Sequence, residues 1–137
     1  MFDITKKRVG ETGTIELKAA DGGRLTDDDG NVLSVTVYGP GSKVWQQAQA
    51  EMNRQRAVRL RESGGRIEGA IENAVDDQVE LLSRITVRFN GWTYPDAGEG
   101  QAMFRAAYAD LQLGFIRDQV FAGANDWAPF SKGLAKS

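Results

Sequence analysis

"IEGAIENAVDDQVELLSRITVRF", from Ile67 to Phe89, is the stretch whose reading decides the fold. Ile67, Ile71, Ala74, Val75, Val79, Leu82, Ile85 and Phe89 recur at three and four, the spacing that lines up one side of an α-helix. Glu68, Glu72, Asp76 and Asp77 crowd its first half, and Arg84 and Arg88 stand near its end. That order complements the helix macrodipole. Glu80 and Arg84 form an i, i+4 pair in the favourable orientation, worth about 0.3 kcal/mol. At about 1.5 Å per residue the spacing predicts one helix of roughly 35 Å, the backbone of the core. Its acids read as a wet face, because no second helix offers carboxylate partners at Glu-x-x-His spacing.

Working upstream, Ser63-Gly64-Gly65 ends an earlier helix that Ser42 opens as N-cap and that runs to about Glu62. Val44, Trp45, Ala48 and Met52 give it an apolar start, and Arg54, Arg56, Arg59 and Arg61 a basic end. The arginines read as a solvated helix end favoured by the C-terminal dipole. A contact for an acidic protein or nucleic acid is the sharper alternative, but no aromatic residues interleave as a stacking platform would require. Before Tyr38-Gly39-Pro40-Gly41 the pattern changes to strands, Thr12 to Leu17 and Asn31 to Gly39, with Leu33, Val35 and Val37 on one face. Gly22-Gly23 and Asp29-Gly30 are turn formers between them. Read as a calcium loop around Gly30, the segment places Leu25 and Thr36 where the first and last oxygen ligands belong, so an acidic turn fits better.

Downstream, Asn90-Gly91 stops the long helix. In "WTYPDAGEGQAMF", Asp96 and Glu99 have the spacing of a capping box for a helix running to about Asp110, and a last helix spans about Leu113 to Gly123. As an acid/base pair the same two carboxylates lack a nearby nucleophile. The expected fold class is therefore mainly α with a small N-terminal antiparallel β-sheet, a helical bundle built on one long amphipathic helix. The expected organisation is a β-rich segment over 1–40, a helical domain over 41–130 and a flexible tail over 131–137.

Composition narrows the chemistry. The chain has 137 residues, 41% hydrophobic and 26% charged, with net charge −2, as in one globular domain with no pull toward nucleic acid or anionic membrane. Lys6, Lys7 and Arg8 are not followed by the apolar run of a signal peptide, and nothing approaches the roughly 20 apolar residues of a membrane span. Without cysteine the chain has no disulfides or thiolate metal sites, and without histidine it lacks the commonest general base and metal ligand. Catalysis, cofactor and metal are not expected.

Several words, in order, carry a resemblance: "VRFNGW" (Val87 to Trp92), Pro95, Asp96, Glu99, Phe104, Tyr108, "FIRDQV" (Phe115 to Val120) and "NDW" (Asn125 to Trp127). With the Gly-Pro-Gly-Ser lead into a helix, this order resembles the tail assembly chaperones of long-tailed phages over about residues 24 to 130. The resemblance implies a non-enzymatic protein of the bacterial host cytoplasm. It would bind the tape measure protein, help recruit the major tail protein and self-associate in some form. It also implies a programmed frameshift, for which Lys132 or Lys136 could mark the slip. A structural virion protein, such as a tail terminator or head–tail connector, is the alternative. Trp45, Met52, Trp92, Phe104, Tyr108, Phe121, Trp127 and Phe130 are the candidate partner-binding residues, with a place in the core as the competing reading for each.

Overall fold

The computed structural model describes residues 1–65 and 70–131, the side chains of 70–72 excepted. The expected helix start at Ile67 with Glu68, the side chains of Ile71 and Glu72, and the tail with Lys132 and Lys136 lie outside that description. A 3-10 turn at Ile4–Lys7 is capped by Asp3, whose carboxylate accepts from the Thr5 amide at 3.0 Å and hydroxyl at 2.7 Å. Then follow β1 (Thr12–Glu16), β2 (Ser34–Tyr38), α1 (Lys43–Glu62) and α2 (Ala70–Ile85). β3 (Thr86–Asn90), α3 (Gln101–Ala109), a 3-10 turn at Leu111–Leu113, α4 (Gly114–Ala124) and α5 (Ala128–Ser131) follow among the described residues.

The long helix breaks where it was expected to continue, and with it the expected helical bundle. The fold is mixed α/β, with four helices of seven residues or more and a three-stranded antiparallel sheet in the order β1-β2-β3. β3 takes the last four residues of the stretch read as helix, Thr86 to Phe89, together with Asn90. Ile85, Thr86 and Val87 are three β-branched residues in a row, which favour a pleated surface over a helix interior. Thr86 marks the change: its hydroxyl bonds the Leu82 carbonyl and the buried Tyr108 hydroxyl, each at 2.7 Å. Phe89 then pairs with Val35 across the sheet, with a bulge between Thr36 and Val37. The same Phe89 satisfies a helical i, i+4 repeat from Ile85 and a strand alternation from Val87, which is why periodicity alone misplaces it.

Val35 and Val37 turn to the core, where one cluster joins them to Leu17 and to Leu82, Tyr108 and Val120 of the helices. On the opposite face Asn90 donates to the hydroxyls of Ser34 and Thr36 at 3.1 and 3.0 Å. Between β1 and β2 the chain repeats an octad, "KAADGGRL" and "TDDDGNVL", Lys18–Leu25 and Thr26–Leu33. Each copy closes a turn with its glycine, Gly22 or Gly30, at φ 91° or 83°. The copies are tied by a ring of backbone bonds: Leu17 donates to Leu33 at 2.9 Å, Leu33 to Leu25 at 2.9 Å and Leu25 to Leu17 at 3.2 Å. Phe130 of α5 is fully buried against Gly13 and Gly39, where added Cβ atoms would collide with its ring.

Candidate functional site

Three groups of residues stood as candidates: the carboxylates of the 96–99 loop, the arginines of α1 and the bulky apolar side chains. Asp96 and Glu99 are exposed, and among the described residues neither has a hydrogen-bond or ion-pair partner. The expected capping box does not form. α3 begins at Gln101 behind Gly100, without a side-chain cap, and Asp96 sits at φ 65°. Positive φ at Gly98 and Gly100 takes the chain into α3 by backbone alone. Asp27 is likewise occupied internally: its carboxylate accepts from the Asp29 and Asn31 amides, both at 2.9 Å, and from the Asn31 side chain. Those bonds, the Asn31 amide foremost, hold its carboxyl below the ordinary range. Among the described residues no group of three or more Asp, Glu, His or Cys could hold a metal ion.

The basic end of α1 is largely consumed by the fold. Arg56 donates to Asp77 at 3.0 Å, and Arg59 donates to both its oxygens at 2.7 and 2.6 Å. Asp77 is 6% exposed, so it is not part of a wet face. Arg54 clasps Glu51 within α1, and with Gln55 it holds the Glu51 carboxyl down at about 2. Glu80 accepts from Arg84 and Arg105. Burial alone would raise its carboxyl, but the two guanidiniums outweigh it and hold the carboxyl below its ordinary value. Between α1 and α2 lies a cleft of about 290 Å³ with Ala48, Met52 and Leu81 on its floor and Arg59, Asp77 and Glu80 on its walls.

The eight bulky candidates divide sharply. Met52, Phe104, Tyr108 and Phe130 are buried in the core, where burial pushes the Tyr108 hydroxyl pKa up. Trp92 is half-buried and pinned: it stacks on Phe89 at 3.8 Å between centroids and donates its indole N–H to the Ser34 carbonyl at 2.9 Å. Trp45 and Phe121 are half-buried. Trp127 alone of the eight is exposed, at 55%, beside Gly41 and Val9. Other exposed apolar residues, Phe2, Ile4, Leu60 and Leu111, were not among the candidates. Leu111 falls at helical spacing after Ala107 and reads as an inner position, yet α3 ends at Ala109 and leaves it 78% exposed, whereas Ile4 and Leu60 stand between polar neighbours with no repeat to mark them. No helix among the described residues is long and apolar enough to cross a membrane. No known protein family, curated protein or solved structure matches the chain.

Proposed function

We propose that this protein is a tail assembly chaperone of a long-tailed phage, a non-enzymatic protein of the host cytoplasm. It binds the tape measure protein and keeps it soluble, helps recruit the major tail protein and self-associates in some form. The observation that carries the reading is the set of large apolar side chains left in water, Trp127 above all, with Phe2, Ile4, Leu60 and Leu111. Isolated exposed apolar residues are common on any surface. Here they combine with the ordered words from Val87 to Trp127 that resemble the chaperone family. Met52, Phe104, Tyr108 and Phe130 serve the core, which narrows the eight candidate partner residues to Trp127 and the open flanks of Trp45, Trp92 and Phe121.

The test is co-expression with the tape measure gene product of the same phage. Soluble tape measure protein, co-purifying with this chain and lost with Trp127→Ser, is the expected outcome. Tape measure protein that stays insoluble, or is equally soluble alone, overturns the reading. Abundant peptides of this chain in purified virions would instead favour a structural protein such as a tail terminator or head–tail connector.

A further inference from the structure

β1 is an edge strand: among the described residues it pairs with β2 and with no other strand. The register runs without a bulge from Thr12 opposite Tyr38 to Glu16 opposite Ser34. Just beyond the two ends, Gly39 donates to the Glu11 carbonyl and Leu17 to the Leu33 carbonyl, both at 2.9 Å. Main-chain groups alternate in direction along a strand. Glu11, Gly13, Ile15 and Leu17 therefore bond toward β2, and Gly10, Thr12, Thr14, Glu16 and Lys18 point away from it.

The outermost of these are closed by the protein itself. The Gly10 amide donates to the Phe130 carbonyl of α5 at 3.0 Å. At the other end the Gln119 side chain of α4 pairs with Lys18 as a neighbouring strand would. Its Oε1 accepts from the Lys18 amide at 2.7 Å, and its Nε2 donates to the Lys18 carbonyl at 2.8 Å. Between these closures the outward N–H and C=O groups of Thr12, Thr14 and Glu16 have no hydrogen-bond partner among the described residues. All three residues are exposed. Proteins guard open edges with bulges, prolines or lysines. β1 has none of these from Thr12 to Glu16, whereas β3, at the other edge, pairs through a bulge.

We propose that the β1 edge from Thr12 to Glu16 is a docking site for an extended segment of a partner protein, which adds antiparallel to it as a further strand. Main-chain bonds supply affinity in such additions, and alternate side chains supply selectivity. On the solvent face the segment meets Thr12, Thr14 and Glu16. The Glu16 carboxylate has no ion-pair partner among the described residues, so it selects a lysine or arginine opposite it. On the other face the segment meets Gly13 and the half-buried Ile15, which suit β-branched apolar residues. A second copy of this chain fits the edge poorly. Paired antiparallel about Thr14, it would set Lys18 opposite Gly10 of the copy and drive Gln119 against the copy's Phe130 carbonyl at both ends. A free-ended segment as long as β1, five residues, meets neither obstacle. The site does not depend on the chaperone reading.

The test is a titration of the isotope-labelled full chain with the acetylated and amidated peptide Lys-Val-Thr-Val-Thr, whose lysine falls opposite Glu16 when the strands run antiparallel. The amide resonances of Thr12, Thr14 and Glu16 should shift saturably. At a peptide concentration about ten times its Kd, their hydrogen exchange should slow about tenfold. The amides of Gly13 and Ile15, already bonded to β2, should not slow. Absence of a saturable shift, or equal slowing at Gly13 and Ile15, overturns the proposal. So does protection of Thr12, Thr14 and Glu16 that grows with protein concentration before peptide is added, which would make the edge a contact between copies. Glu16→Lys should weaken binding of this peptide about threefold and favour the peptide with glutamate in place of its lysine. Indifference to both exchanges overturns the basic character of the partner. The titration of the unaltered chain decides the docking site however the variant behaves.

Discussion

Two buried charges in this molecule are treated in opposite ways. Asp77 of α2 is enclosed by two guanidiniums from α1, with three bonds of 2.6 to 3.0 Å. Arg117 of α4 is nearly as enclosed and has two donor atoms facing nothing. The difference separates a charge that builds the fold from one the fold merely tolerates. α1 is twenty residues long, yet Ala48 and Met52 are its only buried residues. Val44 and Trp45 add partly buried apolar surface only at its start, and the Asp77 clamp supplies specific attachment of its second half to α2. Arg117 ties no element to another.

The comparison can be broken most forcefully by stripping the clamp from its cationic side. Replacing both Arg56 and Arg59 with Met leaves a buried, unpaired carboxylate and should lower unfolding stability by about 3–5 kcal/mol in urea denaturation. Asp77→Ala should cost less, about 1–3 kcal/mol, because Arg56 and Arg59 are partly exposed and can return to water. If the two costs prove equal, Asp77 is not the buried partner in energetic terms. Arg117→Met should act in the opposite direction and raise stability by about 1–2 kcal/mol in chloride buffer, since it replaces an unsatisfied charge with an apolar chain. A loss would mean that the guanidinium already has its acceptors. Between these stands a neutral yardstick: Tyr108→Phe removes the buried bond to Thr86 and should cost about 1 kcal/mol.

The smallest effect is electrostatic. Glu80 has a lowered carboxyl pKa in the folded state, so its contribution is complete above the ordinary range near 4.5 and fades as pH falls through the folded value. Arg105→Met should move the Glu80 titration upward, as read by carboxyl carbon NMR. An unmoved midpoint would leave Arg84 as the sole source of the shift.

Much of the architecture can be read from residue order. The Ser42 cap is present, its hydroxyl oxygen accepting from the Trp45 amide at 3.1 Å. The Ser63-Gly64-Gly65 stop is also present, with both glycines at positive φ. Val35 and Val37 share the buried face that their alternation predicts. The failure at Thr86 has a physical cause. Helix and strand periods coincide at Phe89, and only an open edge on β2, which no local pattern reveals, decides between them. Asp96 and Glu99 fail for a related reason: two glycines at positive φ make the turn before a capping side chain is needed. The octad of the β1–β2 connection is visible in the letters, yet reading one turn at a time passes over it. The pairing of Asp77 with Arg56 and Arg59 spans two helices, and spacing within either helix carries no trace of it. The isolation of Arg117 is hidden in the same way, because a missing acceptor is a property of the packed interior.

The passage from Ile85 to Thr86 has no intervening residue, so the end of α2 sets the phase of β3. Inserting one amino acid at that joint would turn Phe89 away from the core and bring Arg88 toward it, whereas the two octad turns could lengthen with little consequence. Length variation in this protein is therefore unevenly permitted. It is open in the early hairpins and closed at a seam one peptide bond wide.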